Sequence, residues 1–160
     1  MTEPSFDELL RRLVAGDVRF VLIGGLAVNA WGVTRGTKDI DVVPDPDMEN
    51  LARLAKVAAA ANGHVQTANT FAGSHHSIAA LLAEGRQMAI ETDLGPLDVV
   101  QGLEGVPPYS ELSATATDVE IAGVTVSVCS LEDLIAMKHA AGRTRDLADL
   151  EDLETAQNDG

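Results

Sequence analysis

The chain has 160 residues, 46% of them hydrophobic and 22% charged, with a net charge of −14 at neutral pH. That profile suits a single domain over residues 1–160 with a sizeable core, and it excludes a disordered chain. No apolar run reaches the roughly 20 residues of a membrane helix, an acidic surface gives no general grip on nucleic acid, and one cysteine, Cys129, excludes an internal disulfide and fits a reducing, cytoplasmic compartment.

The opening MTEPSFDELL lacks a basic stretch followed by an apolar one, so no signal peptide is expected. Residues 5–15 predict a first helix, with Ser5 as N-cap, Glu8 at the capping-box position and Leu9, Leu10 and Leu13 on one face. Residues 19–23 read as a buried apolar strand that runs into Gly24-Gly25. Residues 26–31 predict a short helix closing on Gly32, and a strand carrying Asp39-Ile40-Asp41-Val42 follows and ends at Pro44. A third helix is expected from Asp45-Pro46-Asp47 to about residue 61, with Pro46 in its first turn and Asn62-Gly63 as its stop.

Residues 64–84 show weaker periodicity: a strand over 65–71, and either a helix or an irregular lid over 78–83 beyond the polar stretch Ser74-His75-His76-Ser77. A hairpin is expected over 87–92 and 96–101 around Asp93-Leu94-Gly95, then a loop over 102–113 punctuated by Pro107-Pro108. A second hairpin pairs 119–121 with 124–128 across Ala122-Gly123. Ser130 caps the next helix, with Asp133 at the capping-box position, and an acidic helix runs from 144 to about 156.

Side chains alternate across a strand, so Asp39 and Asp41 share one face, about 7 Å apart, while Ile40 and Val42 point to the other. Two acids so spaced can share metal ions. Arg35 and Thr37 continue the same parity into one polar row. His75 and His76 have no second His or Cys cluster to complete a zinc site, so a loop surface is expected. Trp31 reads as core, and Tyr109 as a candidate for stacking on a nucleobase. Cys129, in VTVSVCS, reads as a small buried side chain rather than a nucleophile.

A strand ending in Gly-Gly, a short helix and Asp-x-Asp on the next strand, spelled GGLAVNAWGVTRGTKDIDVV, resembles the nucleotidyltransferase superfamily related to DNA polymerase β. The spelling looks most like small bacterial AbiEii-type toxin nucleotidyltransferases. Leu26 stands where that pattern has serine or threonine, which leaves phosphate contacts there to backbone N–H groups. The C-terminal KHAAGRTRDLADL is similar to the Lys-x4-Arg-x2-Asp-x2-Asp pattern of those proteins through Lys138, Arg143, Asp146 and Asp149.

The resemblance implies an α/β (α+β) fold of minimal nucleotidyltransferase type: a small mixed sheet, helices mainly on one face and a C-terminal helical pair. It implies Mg²⁺ (or Mn²⁺) on Asp39, Asp41 and Asp98, the last on the GPLDVV strand. Nucleotide binding would fall to Gly24, Gly25, Arg35, Thr37, Lys138 and Arg143, with Asp146 and Asp149 in support. The activity implied is transfer of an NMP from an NTP, such as ATP, to a hydroxyl-type acceptor, within a toxin–antitoxin pair. A non-catalytic binding partner of the same fold, antitoxin or regulator, is the alternative.

Overall fold

The computed structural model of the protein describes residues 6–34, 36–37 and 39–159. The expected cap Ser5 and the expected nucleotide ligand Arg35 lie outside them. Helix α1 (Phe6–Ala15) buries Leu9, Leu10 and Leu13, the face its periodicity marks. Strand β1 (Phe20–Ile23) is buried along its whole length and passes directly into α2 (Gly24–Ala30), so that helix begins at the glycine pair, two residues earlier than its pattern indicates.

Strand β2 (Ile40–Pro44) starts one residue after Asp39, so Thr37 and Asp39, expected in one polar row with Asp41, precede the strand. Pro46 likewise precedes α3 (Met48–Ala60) instead of entering its first turn. Asn50, fully buried on α3, accepts the Arg19 N–H (2.7 Å) and donates to the carbonyls of Arg19 (2.9 Å) and Asp45 (2.8 Å). One side chain thus satisfies backbone groups at the start of β1 and just past β2. After α3, Asn62 takes a left-handed φ of 59°, and the N–H groups of Asn62 and Gly63 return to the carbonyls of Ala59 and Ala58, a Schellman stop.

The strand expected over 65–71 is interrupted by a turn in which Thr67 N–H meets Thr70 O at 2.8 Å. It leaves two short strands, β3 (Val65–Gln66) and β4 (Phe71–Ala72), paired antiparallel. Helix α4 (His75–Leu82) follows, held by a capping box in which Ser74 and Ser77 bond reciprocally. Strands β5 (Met88–Thr92) and β6 (Gly95–Val99) form the expected hairpin. Where a loop was expected, α5 (Tyr109–Thr115) forms with Pro108 as its N-cap, so the proline pair opens a helix.

Strands β7 (Thr117–Ile121) and β8 (Val124–Val128) make the second hairpin. Helices α6 (Leu131–Ala141) and α7 (Thr144–Asp159) pack together as the expected C-terminal pair. Gly142, at φ 60°, ends α6 and turns the chain.

The main sheet has the order β5-β6-β2-β1-β8-β7, with β1–β8 and β2–β6 parallel and the other pairs antiparallel. Register aligns Ile40 with Leu97, and Leu22 with both Val42 and Val128, all inside one buried apolar cluster. The intervening positions place Ile23, Asp41 and Asp98 side by side on the opposite face. The site grows from that row.

Candidate active site

The ends of three adjacent strands build the floor. Ile23 pairs with Asp41 across β1–β2, and Asp41 with Asp98 across β2–β6. Asp39, just before β2, turns in beside them, and carboxylate oxygens of Asp39, Asp41 and Asp98 lie within 4.8 Å of one another. Among the described residues this is the one cluster of His, Cys, Asp and Glu spaced to hold a metal ion.

Gly24 fits against this cluster. A Cβ at Gly24, where φ is 72°, would lie 2.0 Å from Asp41 Oδ2, and one at Gly25 would lie 2.7 Å from Thr37 Oγ1. Gly24 is therefore required by the close approach of Asp41 and by its left-handed backbone, and Gly25 by the close approach of Thr37. Thr37 in turn donates its hydroxyl to the Asp39 carbonyl at 3.2 Å.

Burial pushes the Asp41 carboxyl up to about 7, and the charges of Asp98 and Asp39 push the same way. Asp98 is raised as well, by burial and by the charges of Asp39 and Glu91, although its hydrogen bond with Asp41 and the charge of Arg145 oppose this. Three oxygen donors with no nitrogen or sulfur among them suit a hard divalent cation such as Mg²⁺ or Mn²⁺. A cation there would also relieve the repulsion that raises Asp41.

The cluster opens into a cleft of about 1210 Å³. Gly24, Gly25, Thr37, Lys138, Arg143 and Asp146 line it with the three acids, so the structure gathers most of the residues singled out from the sequence. Lys138 is buried and bridges two buried carboxylates, Asp146 Oδ1 at 3.2 Å and Asp149 Oδ2 at 2.9 Å. Arg143 donates to Asp146 through its backbone N–H (3.1 Å), Nε (2.7 Å) and Nη2 (3.3 Å). Burial alone would raise Asp146, but the hydrogen bonds from Arg143 and Lys138 outweigh it and hold its carboxyl below the usual range.

Tyr109 stands outside this cleft, in a smaller hollow with Arg19 and Ser127, so the expected nucleobase contact is not in place. His75 and His76 lie against each other at the start of α4, with ring centroids 3.9 Å apart and planes tilted by 39°, and neither lines the cleft. Trp31 packs against the core and donates Nε1–H to the Cys129 carbonyl at 3.0 Å, while Gln157 Nε2 donates to the Trp31 carbonyl at 3.1 Å. Cys129 is buried, and burial pushes its thiol up to about 12, an inert setting. Reading the sequence missed Gln87, Arg145 and the apolar wall of Val100, Leu103 and Val106. Only Arg145 left a signal there, being a third cation beside Lys138 and Arg143.

The profile described as nucleotidyl transferase AbiEii toxin, type IV toxin–antitoxin system, matches residues 8–160. This chain belongs to the AbiEii nucleotidyltransferase family. A search of curated proteins finds no match. Among solved structures, the AbiEii-family chain is similar to the lincosamide antibiotic adenylyltransferase LnuA, solved with lincomycin bound. The TM-score is 0.65 and the identity 14%, over 98% of each chain. It is also similar to ANT(2″)-Ia in complex with adenylyl-2″-tobramycin, with a TM-score of 0.60 and 16% identity over 93% of this chain and 85% of that one. Identities this low show a shared fold, while the family match makes the chain a nucleotidyltransferase. No helix among the described residues is long and apolar enough to cross a membrane.

Proposed function

We propose that this AbiEii-family enzyme moves an NMP from an NTP to a hydroxyl-type acceptor with Mg²⁺ or Mn²⁺, as one partner of a cytoplasmic toxin–antitoxin pair. The observation that carries this reading is the convergence of Asp39, Asp41 and Asp98 within 4.8 Å beside the glycine pair. Asp39 and Asp41 would hold the cation, and Asp98 would share it. When bound, the cation supplies Lewis acidity toward the phosphoryl oxygens.

Asp98, raised but opposed by Arg145 and its bond with Asp41, would take the acceptor's proton at a carboxylate oxygen. Gly24 and Gly25 present backbone without side chains, which lets a triphosphate come close. Lys138 and Arg143 would offer N–H donors whose positions are fixed by Asp146 and Asp149, with Thr37 on the floor of the same cleft.

The net charge of −14 disfavours a polyanionic acceptor. Lincomycin and adenylylated tobramycin, bound by the two structural neighbours, make small hydroxylated molecules the first acceptors to try. The test is incubation of the purified protein with Mg²⁺ and each α-labelled NTP, with and without cell extract. Label transfer that requires Mg²⁺ and disappears in Asp41→Asn is expected; equal labelling by wild type and variant would overturn the reading.

A further inference from the structure

We infer that Arg145, on the first turn of α7, is the guanidinium that grips the triphosphate of the incoming nucleotide. This assignment rests on the nucleotidyl-transfer reading and adds a residue to that site. Three described cations line the cleft: Lys138, Arg143 and Arg145. The first two are already balanced, because Lys138 bridges Asp146 and Asp149 while Arg143 clasps Asp146 through three hydrogen bonds. Two cations against two buried anions leave no net charge for a ligand.

Arg145 is different. It is exposed and shows no ion pair among the described residues, and its charge reaches across the cleft to Asp98. A triphosphate over the carboxylate floor would otherwise meet no net protein cation from the described lining.

The local build supports the role. Asp146 fixes the turn that carries Arg145, accepting the Arg143 backbone N–H three residues upstream as a capping-box partner does. The stem of Arg145 is thus anchored while its head stays available. A planar guanidinium with five donors can meet two phosphate oxygens in a fixed bidentate fork, whereas a lysine in the same place offers a point charge without that geometry.

The experiment titrates wild type, Arg145→Ala and Arg145→Lys with each NTP at fixed Mg²⁺, and with the matching nucleoside as competitor. Melting temperatures verify that the variants fold. Arg145→Ala should bind NTP about ten- to hundredfold more weakly, the range for a lost charge-assisted hydrogen bond. Arg145→Lys should recover part of that loss, and nucleoside affinity should not change.

Unchanged NTP affinity in Arg145→Ala, with wild-type binding measurable, removes Arg145 from the site and leaves the nucleotidyl-transfer reading standing. Equal losses for NTP and nucleoside also overturn it, because the effect would not lie at the phosphates. If wild type itself binds no NTP with Mg²⁺, the reading falls and Arg145 with it.

Discussion

Two groups of charge face one another across the cleft, and they are built oppositely. Asp39, Asp41 and Asp98 crowd like charges together, and the Asp41 carboxyl is pushed up to about 7. Opposite them, Asp146 is fully buried yet held below its ordinary value, because Arg143 and Lys138 bind it. Burial and like charges together raise Asp41, whereas at Asp146 the bound cations outweigh burial and keep the carboxylate ionised. The first group leaves its like charges unbalanced and suited to a cation; the second is balanced as folded and braces α6 against α7.

The largest effect comes from opening the balanced group. Lys138→Ala takes away the cation that Asp146 and Asp149 share while Arg143 still holds Asp146, so the loss in stability is about 3 kcal/mol, the low end for breaking a buried pair. Denaturant melts measure it, and a melt like wild type would refute the brace. Asp41→Asn should do the reverse. It removes a ligand of the proposed cation site, so NMP transfer should fall by at least about a hundredfold, since even partners outside the ligand shell are worth 10–100-fold. Without metal, the same variant should melt higher than wild type near pH 8, because a charged carboxylate is gone from the cluster.

The third way to sharpen the comparison is pH. In metal-free protein the native state keeps a proton at Asp41 that the unfolded chain has released, so stability falls as pH rises from about 4 through about 7. Asp146, lowered in the fold, contributes stability that is present above its unfolded value and lost as pH falls below about 4. Melts in EDTA across this range should show both limbs, and Mg²⁺ should abolish the decline toward pH 7; a flat profile in EDTA contradicts the repulsion. The smallest effect is a control away from the cleft. Ser74→Ala breaks the α4 capping box and should lower stability by about 1 kcal/mol, with NMP transfer unchanged.

Much of this arrangement was legible in the sequence because strand parity is a strict rule. Asp41 and Asp98 each alternate with buried apolar neighbours, and that alone aims both to one face. Asp39 joins them although it lies outside the strand. What failed were signals that local pattern does not carry. Pro107-Pro108 reads as a break, but a proline at a helix start loses no hydrogen bond the helix needs, so α5 follows it. The Ser74–Ser77 box escaped notice because serine replaces the usual glutamate. The burial of Lys138 depends on α7 folding back over α6, a tertiary fact invisible to spacing along one helix. Arg145 was passed over for the same reason.

Trp31 carries a consequence for the laboratory. It is the single tryptophan of the chain, and its indole N–H is bound to the carbonyl after β8 while its own carbonyl receives Gln157 from the far end of α7. One native fluorophore therefore sits where α2, the end of β8 and α7 meet. Its emission reports the docking of the last helix without any dye or engineered label, so the closing of the cleft's C-terminal wall can be followed in real time by stopped-flow spectroscopy.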